Sequence, residues 1–102
     1  MKFTKKQLLN ITTGRLYTNM DDIYSFFDSV IEEGIMTHML PNARKAILPI
    51  METKYPDLDY TRTFNPDIVD GDKEYEIEFT KEEKALFWKN YSNLPSTFEK
   101  KS

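Results

Sequence analysis

The spacing of apolar residues changes at Pro56, and no other feature restricts the architecture of this chain as tightly. Before Pro56 they recur every three or four positions: Ile23, Phe26, Phe27, Val30 and Ile31, then Ala43, Ala46, Ile47, Ile50, Met51 and Tyr55. Such spacing lines one face of a helix. After Pro56 the period falls to two. Leu58, Tyr60, Arg62 and Phe64 alternate with polar neighbours, and Tyr75, Ile77 and Phe79 alternate with Glu74, Glu76 and Glu78. That is the period of a strand with one face buried. The pattern predicts an α+β fold: three or four helices packed on a small antiparallel β-hairpin or sheet.

Local signals place the elements. Thr4 with Gln7 makes a capping box, and Phe3 with Leu8 a hydrophobic staple, so a first helix should run from Lys5 to Thr12. Gly14 stops it, and Leu16 and Tyr17 follow as buried connectors. Asn19 or Asp21 caps a second helix, Asp21 and Asp22 complement its dipole, and Gly34 supplies a left-handed end. Pro41 suits position N1 of a third helix, which Pro49 should kink or break near residues 45 to 49 and Pro56 should end. The segment Asn65 to Asp72 is too long for a two-residue hairpin loop, although Asp70-Gly71 is a turn. Thr80 with Glu83 caps a last helix, about Lys81 to Tyr91, which turns Ala85, Phe87, Trp88 and Tyr91 inward. Two strands are marginal alone, so the hairpin must lean on helices or take a third strand from Lys2-Phe3. The expected division is a domain over residues 1–96 and a flexible tail over 97–102.

At 102 residues a single core is expected, and 39% apolar against 30% charged residues is too hydrophobic for a disordered chain. The absence of cysteine excludes disulfides and thiolate chemistry. With neither a signal-like apolar stretch at the N-terminus nor a run long enough to span a bilayer, a cytoplasmic location is expected. The net charge of −3 is unevenly spread: residues 1–56 carry seven Lys/Arg against six Asp/Glu, residues 57–83 three against ten, and residues 84–102 four against one. The acidic centre is therefore the outstanding electrostatic feature.

Few residues suggest chemistry. His38, the single histidine, has no neighbouring carboxylate or nucleophile in the sequence to make it a general base, and no companions to make it a metal ligand. A structural place at a helix entry is expected. Asp67, Asp70 and Asp72 around Gly71 fail the EF-hand spacing, because placing Gly71 at position 6 puts Pro66 at 1 and Ile68 at 3. No metal, cofactor or catalytic residue is therefore expected, and the chain is read as a non-enzyme. Arg15, Arg44 and Lys45 support an alternative reading as a small DNA-binding regulator, opposed by Asp21-Asp22 at the entry to the second helix. The acidic strand is the sharper candidate. Alternate strand residues lie about 6.6 Å apart, so Glu74, Glu76 and Glu78 would display carboxylates at nearly the spacing of successive phosphates. Asp70 and Asp72 extend that row, and Tyr60 or Tyr75 offers an aromatic anchor.

Thr13-Gly14-Arg15-Leu16, a helix ending near Gly34, Thr37-His38-Met39-Leu40-Pro41-Asn42-Ala43 and Tyr55-Pro56-Asp57-Leu58 together resemble a family of small phage and prophage proteins of unknown function. The resemblance covers about the first 58 residues and departs from the family pattern at Met39 and Asn42, where polar and basic residues are expected. It implies no catalytic residues. What it implies is a phage context in which short acidic proteins block host nucleases or defence complexes, anti-CRISPR proteins among them. The combined expectation is a phage-encoded, non-enzymatic protein in the host cytoplasm. It would bind and inhibit or modulate a host protein through its acidic surface.

Overall fold

Thr4 ends a strand and caps a helix at the same point, and this junction ties the start of the chain to the segment around residues 74–76. In the computed structural model, which describes residues 1–94, the Thr4 side chain accepts a hydrogen bond from the Gln7 N–H at 3.2 Å. The Gln7 side-chain amide oxygen, Oε1, accepts in return from the Thr4 N–H at 2.9 Å. The capping box is complete and satisfies two helix-end donors. The elements are β1 (Lys2–Thr4), α1 (Lys5–Thr12), α2 (Met20–Val30), a 3₁₀ turn (Thr37–Met39), α3 (Leu40–Lys54), β2 (Glu74–Glu76) and α4 (Lys81–Ser92). This is a small α+β fold with four α-helices and one antiparallel pair of strands among the described residues. The tail expected over 97–102, and the end of the unit expected over 1–96, lie outside the described residues.

The sheet pairs β1 with β2 in the register Lys2↔Glu76, Phe3↔Tyr75 and Thr4↔Glu74. Flanking bonds extend it, from Lys5 N–H to the Lys73 carbonyl at 2.8 Å and from Ile77 N–H to the Met1 carbonyl at 2.8 Å. Phe3, on β1, is buried against α2, its ring centroid 5.4 Å from that of Phe26. From there aromatic rings continue through the core: Phe26 meets Phe27 edge-on at 5.4 Å, Phe27 reaches Phe87 of α4 at 6.1 Å, and Phe87 meets Trp88 edge-on at 4.8 Å. Edge-to-face pairs favour the ring quadrupoles and add to simple burial. Ile47 and Met51 of α3 are fully enclosed in the same cluster.

Several expectations are corrected. No strand forms over residues 58–64. Leu58 is buried but Phe64 is 47% exposed, so the two-residue period is not held to its end. Local bonds take the place of a ladder: the Asp59 carboxylate accepts from the Thr61 N–H and hydroxyl, and the Asp59 carbonyl accepts from the Thr12 hydroxyl. The partner of the acidic strand is therefore the segment at Lys2-Phe3, not residues 58–64. The second helix ends at Val30, before Gly34, and Glu32 takes the left-handed conformation with φ 66°. Its carboxylate pairs with Lys84 of α4 at 3.1 Å, which helps offset the roughly 1 kcal/mol that a side chain costs there. Leu16 is exposed instead of buried, and Ala85 faces solvent while Phe87 alone of α4 is fully enclosed.

Helix α3 does not break at Pro49. The proline lies on the exposed face, where water can satisfy the carbonyl of Lys45, itself exposed, that loses its N–H partner. The Thr53 hydroxyl bonds the Pro49 carbonyl at 3.0 Å one turn on. Replacing Pro49 by alanine restores the missing bond, a gain of about 3 kcal/mol in helix propensity, less up to about 1 kcal/mol for the freer unfolded chain. Pro49→Ala is expected to raise stability by about 2 kcal/mol, read as a higher urea midpoint at unchanged slope. An unchanged or lower midpoint contradicts this account of α3.

Candidate functional site

The pairing of Phe3 with Tyr75 decides which way the acidic strand faces. Tyr75 is half-buried, Ile77 and Phe79 are buried, and Glu74, Glu76 and Glu78 are all exposed. The alternation expected from the sequence therefore holds over residues 74–79, although only Glu74–Glu76 are strand proper. Beyond β2, the far end of α3 holds the chain in place. The Glu78 N–H donates to the Tyr55 hydroxyl at 3.3 Å, and the Glu78 carbonyl accepts from the Lys54 ammonium.

The carboxylates differ in what they touch. Glu76 accepts from the amino-terminal ammonium at 2.7 Å, and that hydrogen bond and charge hold its pKa below the usual glutamate range. Asp70 takes the Lys5 ammonium on both oxygens at 3.0 Å, and this bond holds it below the ordinary aspartate value. Asp72, Glu74 and Glu78 make no ion pair among the described residues. Five acidic side chains expected as a row thus reduce to three available charges and two neutralised ones. The turn around them is fixed: Lys73 N–H bonds the Asp70 carbonyl at 3.1 Å, and Gly71 lies beneath the Lys6 side chain, where a Cβ would meet Lys6 Cε at 2.6 Å.

Neither tyrosine is a free anchor. The Tyr60 hydroxyl donates to the Tyr55 carbonyl at 2.7 Å, and burial, then Glu52 and Asp57, push its pKa well above the phenol range, so it stays neutral. Tyr75 carries the Lys73 ammonium 5.2 Å above its ring centre.

A second constellation forms where α1 ends. Gly14 has φ 73°, and the Arg44 guanidinium lies directly over it: a Cβ there would come within 2.9 Å of Arg44 Cζ. Arg44 Nε donates to the Ile11 carbonyl at 2.7 Å and Nη2 to the Thr12 carbonyl at 3.2 Å, closing the negative end of the helix. Arg15 Nε donates to the Arg62 carbonyl at 2.8 Å. Burial and then the nearby Arg62 charge lower the pKa of Arg44. The loop itself is pinned by the buried Asn10, whose amide oxygen accepts from the Tyr17 and Thr18 N–H groups at 2.6 and 3.1 Å. Beside these residues a cleft of about 230 Å³ opens between α1, α2 and the start of α3, walled by Ile11, Gly14, Ile23, Phe27, Leu40 and Arg44.

Of the residues read as candidates from sequence, the structure brings Arg15 and Arg44 to one corner and leaves Lys45 exposed on α3. It adds Arg62 and Asn10, which no local motif marks. His38 sits half-buried in the 3₁₀ turn and does not line the cleft. Among the described residues no group of three or more His, Asp or Glu is placed to hold a metal ion, and no helix is long and apolar enough to cross a membrane.

Residues 3–61 match a family described as a domain of unknown function, DUF7736, and the chain belongs to that family. No curated protein and no solved structure matches the chain. The matched segment contains α1 to α3 and every wall of the cleft, and it stops short of β2.

One paired carboxylate gives a titration signature. Partial burial works against ionised Glu83, but the Lys54 ammonium at 2.8 Å and the Thr80 N–H outweigh it, so its folded pKa falls below the ordinary 4.5. A depressed carboxylate stabilises the fold above its unfolded pKa, and that contribution is lost as pH falls through the folded value. Glu83→Gln is expected to lower stability at neutral pH and to lose less of what remains below pH 4.5 than the parent does. Urea unfolding across the acid range checks this; parallel stability curves for the two proteins contradict it.

Proposed function

We propose that this member of the family is a non-enzymatic, phage-encoded protein that binds a host protein through its acidic edge and inhibits or modulates it. The class of partner that fits best is a nucleic-acid-binding defence complex of the CRISPR kind, met in the host cytoplasm. The observation carrying this reading is the outward alternation of Glu74, Glu76 and Glu78, with Tyr75, Ile77 and Phe79 turned to the interior. With Glu76 held by the amino terminus, the free carboxylates of Glu74 and Glu78 stand about 13 Å apart along this edge, roughly every second step of a phosphate row, and suit a groove whose lysines and arginines are set to meet phosphates. Opposite charge also speeds the encounter.

Glu74, Glu78 and Asp72 supply the contact in this reading, since Asp70 and Glu76 are already paired within the chain. Tyr60 and Tyr75, both half-buried against the core, supply no inserted anchor. The reading assigns no catalytic group and no cofactor. The rival reading, a DNA-binding regulator using Arg15, Arg44 and Lys45, has less to work with, because Arg15 and Arg44 each donate to main-chain carbonyls.

The test is affinity capture from lysate of the bacterial host, comparing the parent with Glu74→Lys/Glu78→Lys, which leaves the Glu76 bridge intact. The parent is expected to retain a nucleic-acid-binding protein whose affinity falls with added salt, and the variant to bind it roughly tenfold or more weakly. If the variant, folded by circular dichroism, holds the same partner with the same salt dependence, the acidic edge is not the contact.

A further inference from the structure

We propose that the cleft between α1, α2 and the start of α3 is a binding site for a small apolar carboxylate, its hydrocarbon part against Ile23, Leu40 and Pro41 over a floor of buried Ile11 and Phe27, and its anionic head at Arg44. None of these residues belongs to the acidic edge, so this site and that one stand or fall separately.

Size is the first argument. A cavity of roughly 150 Å³ accepts benzene, whereas drug-sized ligands fill about 300–1,000 Å³. At about 230 Å³ and open to solvent along one side, this cleft can seat one ring of a ligand with a short chain at its mouth, and its walls are mainly apolar.

Charge is the second. Ion pairs among the described residues use lysines and the amino terminus; Arg15, Arg44 and Arg62 enter none. Arg44 is half-buried, lies near Arg62, and faces carbonyl oxygens that carry only partial charge. A guanidinium has five N–H donors, and the two carbonyl bonds leave others for a ligand. A half-buried guanidinium without a carboxylate partner gains from one, which binds it through strong charge-assisted hydrogen bonds. Gly14 makes the placement possible, because any Cβ at that point would displace the guanidinium from the rim.

The experiment is a ¹⁵N chemical-shift titration of the full chain with 3-phenylpropanoate and, separately, with its neutral amide. Saturable shifts are expected at Ile11, Gly14, Ile23 and Leu40, with the acid binding about tenfold or more tightly than the amide. Arg44→Lys should weaken the acid by a larger factor than the amide. The amide comparison uses the unaltered protein, so it stands even if that variant folds poorly. Equal affinities for acid and amide, shifts scattered over surface lysines, or no shift at about 10 mM ligand overturn the proposal.

Discussion

The structure depends on the pairing of three residues near the start of the chain with three residues seventy or more positions later. Because side chains on a strand alternate with period two, this register alone decides whether the glutamates of β2 face water or the core. With Phe3 opposite Tyr75, the buried set is Phe3, Ile77 and Phe79, which continues into Phe26, Phe27 and Phe87. The exposed set is Glu74, Glu76 and Glu78. A shift by one residue would turn Glu74 and Glu76 toward the apolar core, at a cost of several kcal/mol each. The same pairing brings Lys5 to Asp70 and the amino terminus to Glu76, so it also determines which charges are neutralised at home and which are left for a partner.

The helical half is organised around a different joint. α1 ends in a left-handed glycine, and the carbonyls exposed there are taken by an arginine from α3 that the glycine leaves room for. The Thr13-Gly14-Arg15 turn and the helix that begins beside Pro41 are thus two sides of one contact, with the apolar cleft between them. That contact lies inside the segment matched to the family, and the acidic edge lies outside it. Family membership therefore speaks for the helical joint, and the charge layout of β2 rests on this chain's own residues.

What could be read from the sequence was what short-range chemistry decides. The capping boxes at Thr4/Gln7 and Thr80/Glu83 and the Asn19 cap are present because each needs only a side chain and an N–H three residues away. The alternation of residues 74–79 was legible for the same reason. The strand expected over 58–64 was not real, because Asp59 and Asn65 bond to backbone two residues on and so satisfy locally what a ladder would satisfy at long range. Gly34 looked like the end of α2, but the helix ends at Val30 and the left-handed position falls on Glu32, whose ion pair is with Lys84 of a distant segment. The arginine corner was hidden likewise: Arg15, Arg44 and Arg62 sit on three separate segments, and only the fold brings them together.

The register is open to direct measurement. Bonds joining residues 1 with 77 and 5 with 73 make Phe3–Tyr75 a hydrogen-bonded pair, and so Lys2–Glu76 and Thr4–Glu74 non-hydrogen-bonded pairs, whose Cα atoms approach to about 4.5 Å. Nuclear Overhauser spectra of the labelled protein are expected to show strong Hα–Hα contacts for Lys2–Glu76 and Thr4–Glu74, with the Ile77 amide protected from exchange. Hα–Hα contacts between Phe3 and either Glu74 or Glu76 would mean a one-residue slip and would contradict the outward-facing acidic edge.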